Sequence, residues 1–178
     1  MTDHVDVIVV GAGNAAFCAA HAAAEAGARV VVLEKAPREG IGGNSYFIRH
    51  PAGNWLIDSP KYLPQLVKKF EQLGGLRYVF LTHRDDVADA ERYAQHFHAR
   101  RIIHRDELDS QPDAEQIVEG DQPIELAPGF TAIPTPGHTR GHLVLLHDQR
   151  YLFTGDHLWW DRDDQRLGAS RSYCWHSW

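Results

Sequence analysis

Apolar runs without alternation open the chain. Val5–Val10 is largely β-branched and stops at Gly11, the pattern of a strand buried on both faces. Asn14–Ala26 is alanine-rich and predicts a helix stopped by Gly27. Arg29–Glu34 predicts a second strand, so this opening reads as one β-turn-α-β unit. After Gly40 the pattern changes. Ser45–Arg49 and Trp55–Asp58 predict a hairpin around a turn at Pro51–Asn54. Leu63, Leu66, Val67, Phe70 and Leu73 form a helical stripe that Gly74 and Gly75 end. Tyr78–Thr82 predicts a short buried strand, His83–Asp89 a loop, Ala88–Phe97 a helix and Arg101–His104 a strand. Leu108–Asp121 is polar and reads as loop. Strands are predicted at Pro123–Leu126, Phe130–Pro134, Leu143–His147 and Tyr151–Thr154, whereas Trp159–Trp178 has no clear period.

Composition narrows the class. With 178 residues, 43% hydrophobic and 24% charged, the chain can bury one good core. A net charge of −6 spread along the sequence excludes a nucleic-acid footprint, and the basic stretches Arg38–Arg49 and Arg100–Arg105 are interrupted, as solvated surface is. No apolar run reaches a membrane span, and Asp3 and Asp6 replace the basic start of a signal peptide. Two cysteines, Cys18 and Cys174, make no disulfide framework, so a reducing, cytoplasmic setting is expected. The count that changes the picture is twelve histidines, several beside aspartates in loops, which points to a metal or acid–base site.

The first unit carries Gly11-Ala12-Gly13-Asn14-Ala15-Ala16 between strand and helix, a G-x-G-x-x-A pattern. Gly11 permits the tight turn, Gly13 the approach of a pyrophosphate, and Ala16 close helix–strand packing. The helix start would face phosphate, and Glu34 stands where a carboxylate accepts ribose hydroxyls. This stretch resembles the N-terminus of FAD-dependent oxidoreductases of the fumarate reductase and tricarballylate dehydrogenase kind, with Gly42-Gly43-Asn44-Ser45 included. The resemblance implies FAD contacts at Gly11, Gly13, Glu34 and Gly43. It covers only about a quarter of the chain, so a structural βαβ unit without full FAD binding is the expectation.

The second unit places chemistry just past strand ends: His83-Arg84-Asp85-Asp86-Val87-Ala88-Asp89, Thr135-Pro136-Gly137-His138-Thr139-Arg140-Gly141-His142 and Thr154-Gly155-Asp156-His157. Imidazole and carboxylate together suit zinc, iron or manganese. These segments, with Leu56-Ile57-Asp58-Ser59, are similar to the metallo-β-lactamase superfamily and most to its hydroxyacylglutathione-hydrolase-type members, from about Ser45 to Trp178. The resemblance implies a four-layer αββα sandwich with metal at one edge, holding His83, Asp85, Asp89, His138 and Asp156. Asp85 and Asp89 are its expected catalytic carboxylates. The match is full at Pro136–Gly141 and at Thr154–Asp156, and partial in the His83 loop. Without gaps, Asp85 replaces the family's second His, and Val87 and Ala88 its Asp-His pair; with two extra residues, Asp89 becomes the Asp and Ala90 stands for His. Either way one imidazole is missing, and the family's final His is expected beyond the last residue.

The expectation is therefore an α/β chain in two pieces. Residues 1–44 form a Rossmann-like fragment. Residues 45–178 form a metal-dependent hydrolase-like unit lacking its C-terminal part and impaired by that and by its incomplete ligand set, with one or two weakly held zinc or iron ions, a small-molecule substrate, and neither nucleic acid nor membrane. The abrupt switch at Gly43-Asn44-Ser45 reads as a gene fusion, a rearrangement or an assembly error, with nothing in the residues to choose among them. The rivals are a non-catalytic fusion product and a flavoprotein fragment. Residue by residue, helix N-capping is the alternative for Asp85 and Asp89. His142 is expected to donate to a loop carbonyl or to support a ligand, Asp58 to support a ligand or shape a turn. His96, His98, His104 and His147 are expected to be ordinary surface or satisfied side chains.

Overall fold

Alternation across short strands builds two faces on one sheet. The computed structural model describes residues 7–10, 30–33, 44–161 and 165–169. Its main sheet has seven strands in the order β2-β1-β3-β4-β5-β6-β7. They are β1 (Val7–Val10), β2 (Val30–Leu33), β3 (Ser45–Ile48), β4 (Trp55–Ile57), β5 (Tyr78–Phe80), β6 (Arg100–His104) and β7 (Gln116–Val118). Along these strands Phe47, Leu56, Val79, Leu81 and Ile103 face one core, while Tyr46, Ile48, Trp55, Ile57, Phe80 and Ile102 face the other.

Two helices cover the first face. Helix α1 (Pro64–Gln72) starts with proline, whose missing N–H costs nothing there, and buries Leu66, Val67 and Phe70. It stops where Gly74 and Gly75 take positive φ and Gly75 N donates to Phe70 O at 2.8 Å. Helix α2 (Ala90–Phe97) buries Ala90, Tyr93 and Ala94 and ends at His98 in the left-handed region. The second face packs on a four-stranded antiparallel sheet, β11-β10-β9-β8, made of β8 (Ile124–Ala127), β9 (Phe130–Pro134), β10 (Leu143–His147) and β11 (Tyr151–Phe153). Phe130, Ala132, Leu143 and Leu145 fill the space between the sheets. A separate hairpin pairs β12 (Trp159–Asp161) with β13 (Arg166–Gly168).

Strand direction positions the site. β4, β5 and β6 run parallel, so Asp58, Thr82-His83 and His104 leave the sheet at one edge. The second sheet is tied to that edge by Leu143 N, which donates to Thr82 O at 2.8 Å. β1 and β4 are both antiparallel to β3, so Val10 ends at this edge as well.

The hairpin over 45–58 and both helices of the second unit form where the sequence predicts them. Leu108–Asp121 does not stay a loop. It holds the end of a 3-10 turn (Arg105–Ser110) and strand β7, which pairs with β6. Its polar residues cage the buried Arg101 guanidinium, which donates to Glu115, Gln111 Oε1 and the Asp113 carbonyl, while Val118 enters the inter-sheet core. The predicted helix over 14–26, and Gly11, Gly13, Glu34 and Gly43, lie outside the described residues. Among the described residues no helix is long and apolar enough to cross a membrane.

Candidate metal centre

The first imidazole is aimed by a buried relay. Asp58 follows β4 with φ 53°, and its backbone N donates to Phe80 O at 2.8 Å. Its Oδ1 accepts from Thr82 N at 2.7 Å and from Thr82 Oγ1 at 2.9 Å. Thr82 Oγ1 in turn lies 3.0 Å from His83 Nδ1. A hydroxyl has one hydrogen. With Asp58 ionised, Thr82 donates to Asp58 and accepts from His83 Nδ1–H, which leaves the His83 Nε2 lone pair facing outward. His83 Nε2 is buried without a hydrogen-bond partner. Such an orphaned acceptor calls for an explanation, and a metal ion is one.

The second imidazole and a carboxylate come from the other sheet. His138 lies between β9 and β10 in a loop closed by Thr135 N donating to His142 O at 2.8 Å. Asp156 sits in a 3-10 turn (Gly155–His157) after β11. Gly155 has φ 48°, and a Cβ there would meet Thr82 Oγ1 at 2.5 Å and His142 Nε2 at 3.0 Å. Only glycine lets this turn lie so close to Thr82.

His83, His138 and Asp156 offer donor atoms within 4.8 Å of one another, the one such group found among the described residues. Asp156 Oδ2 is 3.8 Å from His83 Nε2 and 3.7 Å from His138 Nε2. Asp85 Oδ2 is 3.8 Å from His83 Nε2 and 3.5 Å from His138 Nε2. The two rings stand 4.9 Å apart at 79°, so their nitrogens converge rather than stack. Four donors about 2.1 Å from one ion at tetrahedral angles lie about 3.4 Å apart. The four imidazole–carboxylate separations lie within a few tenths of an ångström of that spacing, so the residue types and their convergence suit one ion. Both carboxylates are at least half exposed, so the centre opens to solvent.

The charges around it are strained in the metal-free chain. Burial, then repulsion from Asp86, pushes the Asp58 carboxyl well above the usual range, against the hydrogen bonds from Thr82. Burial, then Asp156 and Asp85, raises Asp86 to about 7. Burial lowers His83, which favours the neutral, ligating imidazole. His142 stacks on His83 at 5.1 Å and shares a 3.1 Å contact between its Nδ1 and Thr135 Oγ1. Burial, then the neighbouring imidazoles, lowers it to about 2, so it stays neutral. Burial also lowers His157, with His138 adding to the effect.

Of the residues singled out in the sequence, the structure brings His83, Asp85, His138 and Asp156 together, with Asp58 behind them. Asp89 is not among them. Its Oδ2 accepts from Tyr62 N at 2.7 Å and its Oδ1 lies 3.9 Å from Arg92. Nor does it cap α2, at whose start it makes no side-chain hydrogen bond. His142 meets a threonine hydroxyl rather than a loop carbonyl. Thr82, Asp86 and Glu107 were missed. Thr82 had a signal, as the residue between strand and first imidazole; the other two had none.

A family model described as an NAD(P)-binding Rossmann-like domain matches residues 9–77. It is a nicotinamide-dinucleotide description, not an FAD one. The hydroxyacylglutathione hydrolase of Salmonella arizonae is 30% identical over 104 residues, which are 57% of this chain and 36% of that protein. The one from Salmonella paratyphi C is 35% identical over 105 residues, 58% of this chain and 41% of the relative. The chain thus spans about two-fifths of the length of the curated relatives it matches. Among solved structures, TTHA1623 in a di-iron-bound form superposes with TM-score 0.55 at 21% identity, covering 67% of this chain and 71% of that one. The chain contains the metallo-β-lactamase fold. The native FEZ-1 metallo-β-lactamase from Legionella gormanii is 22% identical, covers 61% of this chain and 55% of its own, and superposes with TM-score 0.47. The donor cluster sits at the edge where the two sheets meet.

Proposed function

We propose that the chain is a metal-dependent hydrolase of the metallo-β-lactamase fold that cleaves an ester-type bond in a small molecule. The hydroxyacyl-glutathione named by its relatives is the first candidate substrate. The observation that carries this reading is the convergence of His83 Nε2, His138 Nε2 and Asp156 Oδ2 from two sheets, with Asp85 Oδ2 beside them. His83, His138, Asp156 and Asp85 would hold one zinc or iron ion. Bound there, the ion supplies a Lewis acid and brings the pKa of water towards ~7.

The chain's own residues do the rest. Thr82 and Asp58 hold the His83 ring in its ligating tautomer. His142, neutral and stacked, keeps that ring from turning. Asp85, 59% exposed, stands at the mouth, where its outer oxygen can take a proton from the water that adds to the substrate carbonyl. The donor set is short of the family's second pattern. Val87 packs beside the helix-side core instead of offering a ligand, and Asp89 turns to Tyr62. One ion, and slow turnover, is the reading this favours. Residues 1–44 are read as a nucleotide-type βαβ unit whose strands β1 and β2 extend the main sheet, supported by a family match that runs on through residue 77.

Elemental analysis of the full chain loaded with zinc or iron tests the proposal. About one tightly held ion per chain is expected in the wild type, and loss of it in His138→Ala, together with any metal-dependent thioester hydrolysis. Equal metal content in the two proteins would sink the ligand role of His138.

A further inference from the structure

The two imidazole loops belong to different sheets, and something must fix their separation. Glu107, in the 3-10 turn after β6, has a side chain that is 0% exposed. Its Oε2 accepts from Arg84 Nε at 2.6 Å and from Arg84 backbone N at 3.2 Å. Its Oε1 accepts from Gly141 N at 2.7 Å. Arg84 lies between His83 and Asp85, and Gly141 is three residues past His138. One carboxylate therefore grips both ligand loops, an oxygen to each.

The surroundings make the grip tight. Arg84 Nη2 also donates to Asp106 O at 2.7 Å, so the guanidinium spans the turn that carries Glu107. A Cβ at Gly141 would lie 2.7 Å from Glu107 Cγ and 2.7 Å from His104 Nδ1, so only a bare backbone reaches this carboxylate. His104 is itself held: its Nδ1 accepts from Asp106 N at 3.1 Å, and its Nε2 lies 3.1 Å from Gly120 O. Burial alone would raise the Glu107 carboxyl. The hydrogen bonds from Arg84 and Gly141 outweigh it and hold the group below its usual range, hence ionised at neutral pH.

We propose that Glu107 is a positioning residue: by bridging Arg84 and Gly141 it sets the spacing at which the His83 and His138 imidazoles meet. The consequence for metal binding rests on the reading of the centre given above, whereas the spacing itself does not. Donors displaced by about half an ångström lose much of their value to an ion, so the bridge acts on affinity through geometry. Gln at 107 keeps the shape and the oxygen that meets Gly141, but gives up the charged bond to Arg84.

The test uses the full-length chain, wild type and Glu107→Gln, with two readouts. In metal-free protein, NMR cross-peaks between the ring protons of His83 and His138, whose centroids are 4.9 Å apart, report the spacing. Cross-peaks between Trp55 and Phe130, stacked at 4.1 Å in the core, report that the protein is folded. In Glu107→Gln the first set is expected to weaken severalfold while the second stays. Zinc affinity, read by competition with a chromogenic chelator, is expected to fall at least tenfold. Arg84→Met, at a side chain 42% exposed, keeps the fold and removes one arm; it should lose less affinity, and the double variant should be no weaker than Glu107→Gln alone. Unchanged His83–His138 cross-peaks and unchanged affinity in Glu107→Gln overturn the proposal. If that variant fails to fold, the same two results in Arg84→Met overturn it. A wild type that takes no zinc ends the metal reading, and the cross-peaks then decide the spacing by themselves.

Discussion

Two groups of buried histidines sit on the same pair of sheets and use their rings in opposite ways. At the strand-end edge, His83 and His138 are 0% and 4% exposed, and their Nε2 atoms converge on the same two carboxylates. Toward the opposite side, His147 is 8% exposed, and its face lies on Phe130 at 4.1 Å, which stacks on Trp55 at 4.1 Å, which stacks on Tyr78 at 4.3 Å. Its Nδ1 is 3.2 Å from Gly129 O, and His50 meets its ring edge-on. Burial is nearly equal in the two places. What differs is the company of the second nitrogen: in one group two imidazoles share two carboxylates from different loops, while in the other His147 Nε2 meets only its chain neighbour Asp148, at 3.5 Å, and the ring face serves the aromatic stack.

The sharpest way to break this contrast is a pair of alanine substitutions. His83→Ala should remove nearly all bound zinc or iron, a fall of at least a hundredfold in affinity, read by metal competition. His147→Ala should leave metal content unchanged and instead cost about 2–3 kcal/mol of stability, as loss of a buried, stacked ring does, read by denaturant melts of metal-free protein. Metal loss in His147→Ala would erase the distinction. Next in size is the pair Asp85→Ala and Asp89→Ala. The first should weaken metal binding about tenfold, near 1.4 kcal/mol. The second should spare metal and cost about 0.5–1.5 kcal/mol through the lost bond to Tyr62 N. Equal metal affinities in the two variants would contradict the placement of Asp85.

The smallest effect is a pH slope. Burial and the neighbouring carboxylates push Asp86 up to about 7 in the folded chain, from an ordinary aspartate value of 3.8, and Asp58 is raised in the same direction. Between those values the folded, metal-free chain binds protons that the unfolded chain has released. These two groups therefore favour the folded chain as pH is lowered from about 7 towards 4. His83, His142 and His157, all lowered by burial, favour it in the other direction through the usual imidazole range. A comparison isolates the Asp86 share: from pH 5 to 8, melting temperatures of metal-free Asp86→Asn should rise relative to those of the wild type. The metal-loaded protein should lose stability towards acid, because acid protonates its ligands. Parallel profiles for wild type and Asp86→Asn would contradict the crowding of Asp58, Asp86 and Asp156.

Much of this fold was legible because its signals are local. Alternation in Tyr46–Ile48 and Trp55–Ile57 assigns their two faces, and the stripe Leu66-Val67-Phe70 assigns α1. His83, His138 and Asp156 stood out because each follows a strand end: β5 in the parallel part of the main sheet, and β9 and β11, which are both antiparallel to β10 and so end at one edge of theirs. What stayed hidden depends on distant partners. The polar run after Leu108 looks like loop until Arg101 supplies the buried cation it encloses. Glu107 is one acid among several until Arg84 and Gly141 meet it. The His83 loop allowed two alignments two residues apart. A tight 3-10 turn over Arg84–Asp86 keeps Asp85 at the mouth and sends Asp89 towards α2.

Position 155 shows how little clearance the arrangement has. The second sheet can approach the first only because no side chain projects there; a methyl group would collide with the Thr82 hydroxyl. A Gly155→Ala change keeps every donor atom and every formal charge, yet it drives a wedge between the sheets at the point where the candidate donors meet. The chemistry of this chain is therefore hostage to a hydrogen atom as much as to any imidazole.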